Sequence, residues 1–192
     1  VIDGANIETY YLKPSSEFVN YITDAIKSGG NEKIYRQERI CIRQIGAVPI
    51  ATLVPANIFT LNTIYNVYLR QSGIADLKFL LGIINSKVAR YYWRKMNSDE
   101  KKTFPKIKKE AILSIPVPLI KTEIHKKHHG EIVNAVKSIL QINEELPTIK
   151  LTSKVEQLTA KKEHIEERIN ELTFKLFDLT DDMIETIKAT VK

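Results

Sequence analysis

Between Leu77 and Tyr91, apolar side chains recur at spacings of three and four residues, and this pattern constrains the fold more than any other. The positions are Leu77, Leu80, Leu81, Ile84, Val88 and Tyr91. Such spacing indicates an α-helix with one buried face, so the rest of the chain must supply the surface that covers it. Asp76 is the predicted N-cap, and we expect the helix to end near Met96.

Three segments before this helix are rich in β-branched and aromatic residues, and we interpret them as strands. They span residues 38–45, 50–55 and 59–69, with turns at 46–49 and at Asn57. Short strands separated by such turns predict an antiparallel β-meander. Residues 1–30 show weak periodicity and end in Ser28-Gly29-Gly30, which indicates a flexible connection.

After the helix, residues 104–118 predict an extended piece, a short helix or turn at 109–113, and an exit strand at 115–118. From about Lys126 a helical pattern runs to Leu146-Pro147, and a second helix follows. Its heptad positions are Leu151, Val155, Leu158, Ile165, Ile169, Leu172 and Leu176. Two such helices predict an antiparallel pair, and a small final helix capped by Thr180 completes the chain.

The predicted class is therefore α+β, in two parts. Residues 1–120 would form a β-rich module with packed helices. Residues 121–192 would form the long antiparallel helical pair, a coiled-coil-like spacer or dimerisation region. A length of 192 residues suits one large domain, or one domain with an appendage.

The positive charge lies mainly in the middle of the chain. The net charge is +6, yet residues 31–110 alone hold fifteen Lys and Arg against six Asp and Glu. A concentrated positive field suits a polyanion such as nucleic acid. The alternative is a solvated lysine face.

Several classes of site are absent from the sequence. None of the seven glycines lies in a GxGxxG or P-loop arrangement. Nor is there a metal-nuclease pattern of acidic residues with Glu-x-Lys, or the Asn/Asp-Pro-Pro-aromatic signature of amino-methyltransferases. We therefore predict no catalytic residues and no covalent chemistry within this chain.

Two further features bear on environment. Cys41 is the single cysteine, which excludes an internal disulfide and indicates a buried thiol in a reducing compartment. No apolar stretch approaches the roughly 18 residues of a membrane span, and no signal peptide is visible. Because the chain begins at Val1 within a motif, we expect a fragment of a larger protein.

His125, His128 and His129 form a cluster in the sequence HKKHH, with Glu123 and Glu131 as possible additional metal ligands. The flanking lysines oppose a cation, so we predict no metal site there. A solvated, phosphate-adjacent or helix-capping cluster is the alternative interpretation.

Two sets of residues are the candidates for DNA binding. In the first, Arg90, Trp93, Arg94 and Lys95 are predicted to face outward from the helix, while Val88, Tyr91 and Tyr92 are buried. The lysines that follow would contact phosphates: Lys101, Lys102, Lys106, Lys108 and Lys109. In the second set, Arg36, Arg43, Gln44 and the 46–60 loops would approach base edges. The alternative for Arg39 and Arg43 is a polar face of the sheet.

The order of these segments resembles a known family. The runs RICIRQIGAVPIATLVPANIFTLNTIYNVYL, LKFLLGIINSKVARYYWRKM and FPKIKKEAILSIPVP are similar to the TaqI-like C-terminal specificity domain of type II restriction–modification enzymes. The opening VIDGANI and the closing LTFKLFDLTDDMIETI resemble the family's entry and closing segments, and the helical pair resembles the spacer helices of type I specificity subunits.

The resemblance implies that residues 1–120 are a target-recognition module, a C-terminal domain that recognises double-stranded DNA. It also implies an upstream adenine methyltransferase domain that uses S-adenosylmethionine, often a nuclease domain, and a cytoplasmic location in a bacterium or archaeon. No cofactor is expected in this chain. The main alternative is a helical interaction scaffold that forms a homodimer through the helical pair and has incidental DNA affinity. An enzyme with an unrecognised site is a third possibility, which binding of S-adenosylmethionine to this chain would reveal.

Overall fold

Small antiparallel sheets and six α-helices make up the chain in a computed structural model, which describes residues 1–20, 22, 32–69, 76–96 and 106–191. The strands are β1 (Ile7–Glu8), β2 (Tyr11–Leu12), β3 (Arg39–Arg43), β4 (Ala51–Val54) and β5 (Ile64–Val67). The helices are α1 (Leu77–Asn85), α2 (Lys87–Met96), α3 (Lys109–Leu113), α4 (Glu123–Glu145), α5 (Thr152–Leu176) and α6 (Asp181–Thr190). The predicted α+β class is confirmed.

The three-stranded sheet has β3 at its centre, in the order β4-β3-β5. Both pairings are antiparallel, as predicted, but the predicted meander is wrong because β5 returns to the far edge of β3. Arg39 explains this return. It is fully buried, and its guanidinium donates to the Pro55 carbonyl (3.3 Å) and to the carbonyl of Ile58. These bonds fix the connection between β4 and β5 against β3, so Arg39 does not lie on an exposed polar face.

A two-stranded hairpin, β1–β2, precedes the main sheet and was not predicted. Its strands have two residues each, too few for an alternating pattern to be visible in the sequence. Tyr10 in the turn has a φ of 59°, and its N–H donates to the Ala51 carbonyl at 3.1 Å. Asn143 of α4 donates through Nδ2 to the Tyr10 carbonyl at 2.7 Å, which ties the hairpin to the helices.

The single helix predicted from Leu77 to Met96 is two helices that break at Ser86. Asp76 is the N-cap and Met96 the last residue, as predicted. Ser86 has an extended conformation, with ψ at 159°, and its Oγ donates to the Ile83 carbonyl at 2.7 Å. Asn170 of α5 accepts the first free N–H of α2, from Lys87, at 2.8 Å. The break redirects α2 away from α1.

The helical pair α4–α5 is present, joined by a short 3-10 helix at Leu146–Thr148. Helix α4 begins at Glu123, a few residues before the predicted start, because Thr122 accepts the His125 N–H at 3.1 Å and caps it. Arg168 and Glu131 pair across the two helices at 2.7 Å, about equally far from the connection, as an antiparallel arrangement requires.

The main core joins the sheet to the helices. Ile40 and Leu53 of the sheet share one buried cluster with Leu81 of α1, Ile139 of α4 and Leu172 of α5. Residues on both sides of the predicted 120/121 boundary thus contribute to the same core, and the division into two parts stays a prediction.

Smaller clusters complete the packing. One surrounds Cys41 and includes Ile2 and Ile7. The Cys41 thiol is buried, as predicted. Another joins Val88 of α2 to Ile187 of α6. The predicted short helix at 109–113 is confirmed as α3, but residues 115–118 form no strand. None of the described helices is long and apolar enough to cross a membrane.

Candidate nucleic-acid interface

The two sets of residues that the sequence presented separately meet at the end of β3. The Ile107 N–H donates to the Gln44 carbonyl at 2.8 Å, and Ile45 and Lys106 form an antiparallel bridge. Tyr65 of β5 holds the same segment by donating its hydroxyl to the Ile107 carbonyl at 2.9 Å. We call the resulting face the sheet-end surface. It consists of Arg43, Gln44, Lys106, Lys108 and Lys109.

The three lysines of the sheet-end surface are exposed. Within the described ranges, none of them is paired with a carboxylate. Lys108 occupies the N-cap position of α3 without making a side-chain cap, and Lys109 begins that helix. Their charges are therefore available to an external anion rather than committed to holding the fold.

Arg43 is half-buried and is the last residue of β3. Its Nε is buried and lacks a hydrogen-bond acceptor in the described part of the chain. The side chain lines a cavity of about 320 Å³ together with Asp3, Gly4, Ala5, Ile45 and Thr63. A buried guanidinium nitrogen without an acceptor is uncommon in folded proteins. Nothing in the sequence indicated that Asp3 would lie beside Arg43.

Gly46 lies directly against the Arg43 guanidinium. A Cβ added there would lie 3.1 Å from Arg43 Nε and 3.2 Å from its Nη2. The sequence placed Gly46 only in a turn, and its proximity to Arg43 was missed. A glycine next to a functional arginine is the signal that could have suggested it.

Trp93 was predicted to face outward, and that prediction is wrong. The side chain is buried, with 5% of its surface exposed, and its Nε1 donates to the Ala47 carbonyl at 3.0 Å. The break at Ser86 accounts for the error, since α2 does not continue the face of α1. A buried indole needs an acceptor for its N–H, and that requirement could have pointed to a polar loop beside it.

Arg94 and Lys95 of α2 make contacts with residues outside the sheet-end surface. Arg94 is exposed and donates to the Thr190 carbonyl at the end of α6. Lys95 Nζ lies 5.6 Å from the centre of the Tyr91 ring. Tyr91 and Tyr92 are half-buried, which agrees with their predicted place on the packed face.

Arg90 lies in a different, acidic environment. It is half-buried, and its Nε lacks an acceptor in the described part of the chain. It lines a second cavity, of about 220 Å³, with Tyr10, Asn85, Lys87, Glu163, Glu166, Glu167, Ile169 and Asn170. Burial raises the pKa of Glu166, against the opposing charges of Lys162 and Arg90. Arg90 thus lies among the carboxylates of α5, and its predicted contact with DNA stays a prediction.

Arg36 lies at the opposite end of the sheet from Arg43. The pairing of Arg39 with Val54 places residues before β3 beside those after β4. There Arg36 pairs with Glu32 and donates through Nη1 to Asn57 Oδ1 at 3.2 Å. The structure therefore does not bring Arg36 together with Arg43. Lys101 and Lys102 lie outside the described residues.

The histidines of α4 serve different local contacts. His125 Nδ1 lies 3.2 Å from the Leu119 carbonyl oxygen, and the His129 ring packs on Phe79 with 4.3 Å between ring centres. No group of three or more His, Cys, Asp or Glu side chains is placed to hold a metal ion in the ranges that the structure describes.

Comparison with known proteins gives one family match. The model of the TaqI-like C-terminal specificity domain matches residues 1–117. The matched region contains both sheets, α1 to α3 and the whole sheet-end surface, and it ends before α4. Among curated proteins, none matches the chain.

Proposed function

The chain belongs to the TaqI-like C-terminal specificity domain family, and from this premise we propose that it binds duplex DNA through the sheet-end surface. Domains of this family are target-recognition parts of restriction–modification enzymes. The observation that supports the proposal most directly is the bridge between Ile45 and Lys106. It joins the residue after the Arg43-Gln44 pair to Lys106, which begins a segment of three exposed lysines that have no carboxylate partner in the described residues.

The chemistry of these side chains suggests a division of roles. Lys106, Lys108 and Lys109 are point charges on an exposed segment, which suits contacts to phosphates that position the duplex. Arg43 and Gln44 carry the groups that pair with guanine and adenine edges in the major groove. Lys101, Lys102 and the 46–60 loops are further candidates, as the sequence suggested. We do not include Arg90, because it lies among the carboxylates of α5.

In the complete enzyme, we propose, this domain holds DNA against an upstream methyltransferase domain. A target adenine must leave the base stack to reach a catalytic pocket, and a second domain that grips the duplex helps to hold it there. S-adenosylmethionine would then bind the methyltransferase domain and not this chain. A cytoplasmic location, where DNA is accessible, belongs to the same proposal.

A helical scaffold is the competing function, and the packing of α5 weighs against it. Leu158, Ile169 and Leu172 occupy core positions of the heptad pattern and are buried within the chain itself. A homodimer through this face would have to open that core. Leu151, just before the helix, is a heptad position that is 66% exposed to solvent.

The test is a titration of short random-sequence duplex DNA at several salt concentrations. Replacing Lys106, Lys108 and Lys109 with Gln should reduce the slope of log K against log salt by about three. A matched control replaces three exposed lysines of the helical pair, Lys150, Lys154 and Lys161, and should leave the slope nearly unchanged. If both triple variants lower the slope equally, the sheet-end surface is not the contact.

Light scattering separates the competing scaffold from the proposed function. We expect a monomer that binds DNA at low salt. A stable dimer that ignores DNA at low salt would favour the scaffold instead.

A further inference from the structure

Arg43 has an unusual lack of partners for a half-buried arginine. Its Nε is buried without an acceptor, and no carboxylate lies within ion-pairing distance in the described part of the chain. By comparison, Arg39 in the same strand satisfies its guanidinium with four acceptors, Asn66, Gln37, Pro55 and Ile58. The terminal nitrogens of Arg43 also have no acceptor in the described part of the chain, so they are free to pair with an external acceptor.

Gly46 leaves the space that the Arg43 guanidinium occupies. A Cβ on residue 46 would lie 3.1 Å from Arg43 Nε and 3.3 Å from the Val48 carbonyl oxygen. The loop itself is held by the Trp93–Ala47 hydrogen bond and by the bond from Ile107 to Gln44. The loop beside the guanidinium is thus held before any ligand arrives, which favours selective pairing over a loose charge contact.

The lining of the cavity decides which acceptor fits. Asp3 shares the cavity with Arg43, and its Oδ1 accepts the Ala5 N–H at 2.8 Å. The negative charge of Asp3 would repel a phosphate in this cavity. The three exposed lysines of the sheet-end surface can bind phosphates instead. A G·C pair offers the complementary set, since guanine presents the O6 and N7 acceptors and cytosine presents an N4 donor.

From this arrangement we infer that Arg43 reads guanine in the recognised DNA and that Gly46 positions it. The inference rests on the proposed function and adds the base to it. Arg43 pairs through its terminal nitrogens with O6 and N7, because its Nε is buried. Gly46 acts through Arg43 and touches no base.

The experiment selects duplexes from a random pool with the unaltered chain and then remakes the enriched duplex with 7-deazaguanine, which lacks the N7 acceptor. Binding by the unaltered chain should fall roughly tenfold or more at one guanine. Arg43→Gln should bind both duplexes equally and, in its own selection, should no longer prefer guanine at that position.

Gly46→Ala tests the positioning role. It should weaken the guanine preference while keeping the salt slope, because the added Cβ displaces the guanidinium and leaves the lysines in place. The melting temperature is measured beside it, since the Cβ also lies 3.3 Å from the Val48 carbonyl oxygen. Gly130→Ala is the matched control, since a Cβ there meets nothing within 4 Å. This control should leave the selected sequence unchanged.

The outcomes distinguish the inference from the function beneath it. If no DNA is bound, both the proposed function and the inference fail. If DNA is bound but no sequence is enriched, the inference is overturned and duplex binding stands. If a sequence is enriched but 7-deazaguanine has no effect at any position, the inference is overturned and the proposed function stands. Methylphosphonate substitution at single phosphates tests the alternative contact. If one substitution weakens binding by the unaltered chain but not by Arg43→Gln, Arg43 contacts that phosphate and the inference is overturned.

Discussion

Trp93 of α2 donates its indole N–H to the Ala47 carbonyl at 3.0 Å, and this bond joins the helix to the loop between β3 and β4. Ile107 supports the start of the same loop through Gln44, at 2.8 Å. The loop that carries the Arg-Gln pair is thus held at two points by segments distant in sequence. Loops fixed in this way can present side chains to a ligand without a large ordering cost.

Trp93→Phe should lower the free energy of unfolding by about 1–3 kcal/mol, because the Ala47 carbonyl loses its donor and part of the ring volume is lost. We also expect weaker DNA binding, since the loop would be less constrained. Urea unfolding and DNA titration measure the two effects. Tyr92→Phe on the same helix is the control, and the hypothesis fails if it destabilises the chain as much.

Gly82→Ala should also destabilise the chain, although alanine is the better helix former. The added Cβ would lie 2.7 Å from Ile132 Cγ2 and 3.3 Å from Val136 Cγ2, both on buried β-branched side chains of α4. Overpacking of this kind costs about 1–3 kcal/mol, which exceeds the gain of about 1 kcal/mol from helix propensity.

Gly130→Ala should have the opposite effect on stability, because a Cβ there meets no atom within 4 Å. This change should stabilise α4 by about 0.5–1 kcal/mol. Thermal unfolding of both variants compares the two glycines directly. Equal stabilisation by both would show that α1 does not approach α4 as closely as described.

Local signals predicted much of the fold. Asp76 and Met96 bound the α1–α2 segment as expected, since a cap and an apolar period are visible in the sequence. The break at Ser86 was not visible, because serine is compatible with a helix and its effect depends on Asn170 of α5. The sheet order was likewise hidden, since Arg39 sets it by binding carbonyls that follow β4.

The candidate site was predicted in composition but not in arrangement. The sequence supplied Arg43, Gln44 and the lysines, but the Ile45–Lys106 bridge and the bond from Ile107 to Gln44 that bring them together are visible only in the structure. Arg36 was assigned to the same set because it is basic and close to β3. Its pairing with Glu32 and Asn57, at the other end of the sheet, depends on strand register, which composition does not specify.

Cys41 should be unreactive in the folded chain. Burial raises the pKa of its thiol to about 12, against the opposing charge of Arg39, so the reactive thiolate is scarce at neutral pH. Iodoacetamide at pH 8 should therefore modify Cys41 only after denaturation, as measured by mass spectrometry. Rapid modification of the native chain would contradict the burial of this strand.

The Glu131–Arg168 pair should make stability depend on acid. The hydrogen bond from Arg168 is the main cause that lowers the pKa of Glu131, so folding favours the ionised carboxylate. This contribution is present above the unfolded pKa of about 4.3 and is lost as the pH falls through the lower folded value. Glu131→Gln should therefore cost about 0.5–1 kcal/mol at pH 7, and this cost should disappear in acid.

Urea unfolding of the unaltered chain and of Glu131→Gln, at pH 7 and at acid pH, checks this dependence. Glu123→Gln on the same helix is the control, because its carboxylate is 87% exposed beside Lys126 and forms a weak surface pair. We expect the control to change stability little at either pH. A cost for Glu131→Gln that persists in acid would mean that packing of the side chain, and not its charge, joins α4 to α5.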